Sequence, residues 1–224
     1  MPRRDDYATP GLGPNRPVDG NQMTGSGIEK LLESVGAIRQ GHFVLSSGLH
    51  SGSYVQCASV LQYPAYAERI GYLLAAEFAG LEISCVASPA LGGVILGHEV
   101  ARGLSGKGDG KIVRAIFAER DARGILTLRR GFGVDPDEHV LVVEDVWTTG
   151  GSTLETMRVI EEAGGRVVGA GAIIDRSGGK IEFEVPSRAL LDIRIESYDA
   201  DECPLCQAGG VATRPGSRFE RARS

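Results

Sequence analysis

Lysine is scarce in this chain. Only four of its 24 basic residues are lysine (Lys30, Lys107, Lys111 and Lys180), and arginine supplies the rest. Arginine holds phosphates and carboxylates in two-pronged fashion, so this bias suits anionic ligands. Basic charge in excess is lacking too: the formal net charge is -5 and the pI about 5.5, against a general nucleic-acid or anionic-membrane binder. Four cysteines in 224 residues exclude a disulfide scaffold. No stretch approaches about 18 uncharged apolar residues, so no membrane span is expected. The N-terminus has charge but no apolar core of a secretory signal, which makes a reduced, cytoplasmic protein the default expectation. A Walker A loop, GK[ST], is absent, as is a GxGxxG after a strand, so the common nucleotide folds lose support.

Glycine is abundant: 32 of 224 residues, about twice the ordinary usage of roughly 7%. Hydrophobic residues at 42% and charged residues at 24% are ordinary globular values, so the excess does not signal low complexity. Residues 1–22 carry four prolines and no periodicity and read as a disordered leader. Ile28, Leu31, Leu32, Val35 and Ile38 recur at helical spacing, predicting a helix that ends near Gly41. Strand-like runs follow at His42–Leu45 and Ser53–Val60, then a helix opened by Pro64. Beyond it the chain alternates: strands at Ile83–Ala87, Lys111–Ala118, Val140–Val143, Arg166–Asp175 and Leu190–Glu196, with helices between the earlier ones. This order predicts an α/β fold with a mostly parallel sheet flanked by helices. The reading divides the chain into the leader, a domain over residues 23–200 with a small N-terminal hood at about 23–60, and a loose tail over 201–224.

The chemistry concentrates in VLVVEDVWTTGGSTLETM (Val140–Met157). An apolar strand runs into Glu144 and Asp145, and Thr148-Thr149-Gly150-Gly151-Ser152 opens a helix. In open α/β sheets, ligands bind beyond the carboxyl ends of the strands. A helix N-terminus favours phosphate, glycines admit it close to the backbone, and Thr and Ser add donors. Two carboxylates beside a phosphate site make sense if they accept from sugar hydroxyls or face hydrated Mg²⁺. A sugar phosphate fits that combination.

Within that segment, Val140–Thr153 resembles the phosphoribosyl pyrophosphate signature of type I phosphoribosyltransferases. FVLSSGLHSGSYVQ (Phe43–Gln56) is similar to a hood segment of the orotate phosphoribosyltransferases, ASPALGGVILGHEVA (Ala87–Ala101) to their pyrophosphate loop, and AIIDRSGG (Ala172–Gly179) to their base-recognition strand end. The resemblance spans about Ile28 to Leu191 and implies the type I phosphoribosyltransferase fold. It implies transfer of a phosphoribosyl group to orotate, Mg²⁺ as cofactor, and a homodimer whose mobile loop reaches the partner's site. Glu144 and Asp145 would hold the ribose hydroxyls, Val146 and Trp147 would also belong to the phosphoribosyl-pyrophosphate-binding set, and Thr148, Thr149, Gly150, Gly151 and Ser152 would cradle the 5′-phosphate. Ala90, Leu91 and Gly92 would form the pyrophosphate loop, with a non-proline cis bond at Ala90-Leu91. Thr148, Arg176 and Tyr54 would line the base site, Arg176 pairing with the orotate carboxylate.

Better-known bacterial members of that family carry lysines where this chain has Ser46, Gly92, and Arg120 with Arg123. The last two lie in FAERDARGILTLRRGF (Phe117–Phe132) and are the candidate catalytic cations, acting electrostatically because arginine does not donate protons near neutral pH. A solvated β-hairpin is the other reading of that segment. A purine phosphoribosyltransferase, or a non-catalytic regulator on the same fold, would share the phosphate loop. Cys203-Pro-Leu-Cys206 is a single CxxC pair; zinc wants four ligands, and Cys57 and Cys85 stand far off in sequence, so the pair is read without a metal. His42, His50, His98 and His139 show no ligand spacing and are read as structural, and no residue is assigned as a direct metal ligand.

Overall fold

The computed structural model describes residues 25–45, 47–106 and 110–215. The expected leader, Ser46 and residues 216–224 of the expected tail lie outside them. In chain order the elements are α1 (Gly25–Ser34), β1 (Ile38–Val44), β2 (His50–Val55), α2 (Ala58–Leu61), α3 (Pro64–Ala76), β3 (Cys85–Pro89) and α4 (Gly92–Leu104). There follow β4 (Arg114–Arg120), β5 (Leu126–Leu128), β6 (His139–Trp147), α5 (Gly151–Glu162), β7 (Arg166–Asp175), β8 (Ser187–Asp192), β9 (Ser197–Tyr198) and α6 (Pro204–Gln207).

The main sheet runs β5-β4-β3-β6-β7-β8; all neighbours pair in parallel except β4 and β5. The run Val140–Val143 explains the layering. Alternate residues face opposite sides: Leu141 and Val143 join the core under α1 to α4, and Val140 and Val142 join the core under α5. All four are fully buried, and each contributes about 1.5–3 kcal/mol through burial. An apolar strand of this kind belongs between two helical layers.

The order of connections creates a switch point. From β3 the chain crosses through α4 to β4 on one side, and from β6 through α5 to β7 on the other. β3 and β6 are neighbours, so their two outgoing loops part and leave a crevice at the carboxyl edge, where open α/β sheets bind ligands.

The structure corrects several expected boundaries. The first helix stops at Ser34 instead of near Gly41, and Ile38 opens β1. Gly36 takes φ 69°, while the amides of Gly36 and Ala37 donate back to Glu33 and Leu32 at 3.0 and 2.7 Å. This is a Schellman close, which glycine accommodates without Cβ strain. The expected strand Ser53–Val60 splits into β2 and the short helix α2. The hood is not wholly N-terminal: its sheet is β1-β2-β9, and β9 comes from beyond the main sheet. Nor is the chain loose from residue 201. Cys203 is fully buried, and the Thr213 amide donates to the His42 carbonyl at 2.9 Å while its carbonyl accepts from Val44 at 2.8 Å. The last turn thus docks on the hood edge.

Candidate active site

Three loops meet at the carboxyl edge. β3 ends at Pro89 and passes through a cis Ala90-Leu91 bond into α4, as the resemblance implies. Gly92 then lies against Asp145: a β-carbon there would stand 2.6 Å from Asp145 Oδ1. The loop and the second acid therefore interlock, and only glycine leaves the carboxylate its present space. Gly93 is crowded likewise: a β-carbon there would stand 2.8 Å from the Ser88 side chain and 3.1 Å from the Val143 carbonyl.

β6 delivers Glu144, Asp145, Val146 and Trp147, and the chain turns through exposed Thr148 and Thr149 into α5. Gly150 is the helix N-cap, with φ 72°, and brings no side chain of its own to cap the helix. Thr149 Oγ1 accepts a long bond from the Gly151 amide at 3.4 Å. The first turn of α5, with its positive dipole end, thus opens directly after two exposed threonines, an arrangement that suits a phosphate. Ile181 and Phe183 wall the other side of Gly150, and Phe183 packs on the Trp147 ring at 4.9 Å.

Both acids are partly buried, and burial pushes both carboxyls above their ordinary range. For Glu144, bonds from the hydroxyls of Thr153 and Ser152 and from the Thr153 amide oppose that shift, and the charge of Asp145 adds to it. Thr153, fully buried, donates to Glu144 Oε2 and accepts from Trp147 Nε1 at 3.0 Å. Sequence reading gave Thr153 no role; its only signal was its place one residue beyond the phosphate-loop motif.

β7 ends beside β6, with Trp147 paired to Asp175, and the Arg176 amide donates to the Trp147 carbonyl at 2.8 Å. This places Arg176 next to the phosphate loop. Burial lowers its guanidinium pKa, and Nε is buried with no hydrogen-bond partner among the described residues. Tyr54 and Cys57 are the titratable groups that lie close enough to couple to it. Tyr54 stands on β2 under the guanidinium of Arg39, 5.7 Å from its ring centroid. Cys57 is fully buried, its Sγ 3.8 Å from the Asp145 carbonyl, so the hood is pinned against the floor of the site. Sequence reading placed Cys57 only in a strand.

The two candidate catalytic arginines are engaged elsewhere. Their segment is a β-hairpin, β4 paired with β5, as the other reading of it held. Arg120 pairs with Glu155 of α5 at 2.8 Å and donates to the Gly124 carbonyl at 2.7 Å. Arg123 closes the turn on Asp121 at 3.0 Å. The structure therefore gathers Glu144, Asp145, Thr148–Ser152, Ala90–Gly92, Arg176 and Tyr54 around one crevice, and holds Arg120 and Arg123 on a neighbouring hairpin by carboxylates.

Comparison with known proteins agrees with this geometry. The phosphoribosyl transferase domain model matches residues 58–194. Orotate phosphoribosyltransferase of Pelotomaculum thermopropionicum is 49% identical over 196 residues, 88% of this chain and 99% of that protein. The Thermotoga maritima enzyme of the same name is 48% identical over 191 residues, 85% of this chain and 98% of that one. The crystal structure of Mycobacterium tuberculosis orotate phosphoribosyltransferase with inorganic phosphate gives a TM-score of 0.60 at 26% identity, over 74% of this chain and 95% of that one. No helix among the described residues is long and apolar enough to cross a membrane. By these matches over most of its length, the chain belongs to the phosphoribosyl transferase family and, within it, to the orotate phosphoribosyltransferases.

Proposed function

We propose that the chain transfers the 5-phosphoribosyl group of phosphoribosyl pyrophosphate to orotate, releasing pyrophosphate and forming orotidine 5′-monophosphate. The observation that carries the choice of base is Arg176, whose buried Nε has no partner among the described residues at the strand end beside the phosphate loop. A buried unmet donor on a cation calls for an anionic acceptor, and orotate differs from the neutral bases in carrying a carboxylate. The first turn of α5 binds the 5′-phosphate, Gly92 and Gly93 offer close backbone to the pyrophosphate, and Glu144 and Asp145 accept from the ribose hydroxyls. As positive charge grows at the anomeric carbon, the same two carboxylates stabilise it.

The donor set also fits a hard divalent cation. Two carboxylates beside a phosphate site suit Mg²⁺, which keeps waters and takes the rest of its oxygens from substrate. Glu144 and Asp145 would face it, and when bound it supplies charge neutralisation to the departing pyrophosphate. Arg120 and Arg123, once released from Glu155 and Asp121, would add positive charge over the same leaving group, and in a homodimer the exposed hairpin would do so at the neighbouring site. Mixing an Arg123→Ala chain with an Asp145→Asn chain tests that arrangement: a shared site regains activity on mixing, a self-contained one does not.

The whole reading is tested by incubating the protein with Mg²⁺, phosphoribosyl pyrophosphate and, separately, orotate, uracil, adenine, guanine, hypoxanthine and xanthine. Orotidine 5′-monophosphate is the expected product. Turnover of a purine in place of orotate overturns the choice of base, and binding of the donor without any turnover overturns catalysis.

A further inference from the structure

The hood carries a second cluster that the transferase chemistry does not use. His42 lies where β1 bulges between Gln40 and Phe43, and His50 opens β2. β9 pairs its Tyr198 with His50, and the chain then turns to bring Cys203 and Cys206 over the same spot. One ligand-type atom from each of the four lies within 4.8 Å of all the others. His42 Nε2 stands 2.9 Å from His50 Nδ1, 3.5 Å from Cys203 Sγ and 3.7 Å from Cys206 Sγ, and Cys206 Sγ stands 3.2 Å from His50 Nδ1. Both cysteines are free thiols.

Hydrogen bonding alone does not account for this convergence. His42 Nδ1 faces the Gly210 carbonyl at 3.1 Å. A carbonyl only accepts, so Nδ1 carries the proton and Nε2 turns a lone pair inward. If His50 Nδ1 carries its proton, it takes that single lone pair and leaves both thiols without a nitrogen acceptor in the cluster; if it does not, two nitrogen lone pairs face each other at 2.9 Å. A central cation accepts four lone pairs at once. Tetrahedral zinc with nitrogens at about 2.0–2.1 Å and sulfurs at about 2.3 Å sets its ligand atoms roughly 3.3–3.8 Å apart. Four of the six separations, 2.9–3.7 Å, need adjustments of only a few tenths of an ångström, and the other two lie within 4.8 Å. The contact from His42 Nδ1 to a backbone carbonyl is the outer bond that orients zinc-bound imidazoles. Two thiolates and a divalent cation sum to zero charge, which suits a site whose Cys203 is fully buried.

We propose that His42, His50, Cys203 and Cys206 form a structural Zn²⁺ site that clamps the C-terminal segment onto the hood. The binding releases the two thiol protons to solvent, and all four positions are filled by protein, so the site has no open position for catalysis. It joins β1 and β2 to the turn that carries α6, and through Thr213 to the edge of β1. Sequence hides it, because the histidines stand more than a hundred residues before the CxxC pair.

The test uses the full chain, expressed in zinc-supplemented medium and purified without chelator. Elemental analysis is expected to give about one zinc per chain. After removal of zinc, Co²⁺ is expected to produce intense tetrahedral d–d bands and a thiolate charge-transfer band, and added Zn²⁺ to bleach both. The Cys203→Ser/Cys206→Ser chain should lose the metal and the charge-transfer band, and Cys206→His should retain the metal with a weaker band. Chelation should lower the melting temperature and expose the segment after Tyr198 to protease, and zinc should reverse both. A metal-free wild-type protein that gives only the weak spectrum of octahedral cobalt overturns the site. So does a Cys203–Cys206 disulfide in protein purified under reducing conditions. None of these readouts involves orotate turnover, so the site stands or falls separately from the transferase reading.

Discussion

The Thr153 hydroxyl donates to Glu144 while accepting the indole N–H of Trp147 at 3.0 Å. One buried hydroxyl thus fixes the first acid and the base of the phosphate loop together. Thr153→Val keeps the shape and removes both bonds, leaving the Trp147 N–H unmet and Glu144 with only its bonds from Ser152 and the Thr153 amide, at about 1–3 kcal/mol. We expect a lower melting temperature and a fall of about tenfold or more in kcat/KM for phosphoribosyl pyrophosphate. Thr153→Ser should stay near wild type. Equal behaviour of the two variants would refute the positioning role.

Asp145 sets function against stability. Its carboxyl is raised by burial, so the folded state holds the proton more tightly than the unfolded chain. Stability from such a group is full at low pH and is lost as pH rises from the unfolded value through the higher folded one. At neutral pH the buried charge is therefore a cost. Asp145→Asn should raise the melting temperature near pH 7, with the gain fading below about pH 4, and should abolish turnover. A variant that melts lower than wild type at pH 7 would contradict this account.

The parts of the fold legible in sequence are those with one dominant local signal. The unbroken apolar run Val140–Val143 announces a central strand, and the ED and TTGGS segments announce the ligand loop at its carboxyl end. Pro64 marks a helix start that the structure keeps. Non-local features are hidden. Cys57 meets Asp145 only because the hood folds over the sheet, and β9 joins the hood only by returning from the far end of the chain. The histidines at positions 42 and 50 meet Cys203 and Cys206 through that same return. Spacing rules read neighbours along the chain and are blind to neighbours made by topology.

On the proposed reading, Arg176 separates base recognition from donor binding. Removing its guanidinium takes away the one cation beside the base site with a buried, unpartnered donor among the described residues, while the phosphate loop keeps its own contacts. Arg176→Ala should raise the KM for orotate by on the order of 100-fold and that for phosphoribosyl pyrophosphate by far less. Arg176→Lys should recover little, since an ammonium does not reproduce a two-pronged contact. Parallel rises in both constants would show that the residue supports the loop and does not read the base.

Glu138 governs the acid limb of stability. Arg114 donates to both of its oxygens and also reaches the Gly133 carbonyl at 2.7 Å, while the Asp135 amide adds a bond at 3.0 Å. The Arg114 hydrogen bond holds the Glu138 carboxyl below its ordinary range. Its stabilisation is present above the unfolded value, near pH 4.3, and is lost as pH falls through the folded one. Because Arg114 is partly exposed, Glu138→Gln should cost about 1–3 kcal/mol at pH 7 and less at pH 3. Urea unfolding at the two pH values checks this; a cost independent of pH would point to lost packing.

Arg123 is the position at which activity and stability should part most cleanly. Its side chain is 77% exposed and its pairing with Asp121 closes a local turn. An exposed pair of this kind contributes between about 0 and 1 kcal/mol, so Arg123→Ala should leave the melting temperature almost unchanged. If the hairpin delivers its charge to the departing pyrophosphate, kcat should nevertheless fall on the order of 10–100-fold. Arg123→Lys should restore most of it, because the role asks for a positive charge and not for a fork. Arg120→Ala should differ by also lowering stability, since Arg120 ties the hairpin to Glu155 on α5. An Arg123→Ala enzyme with unaltered kcat would leave Arg120 as the remaining candidate for that charge.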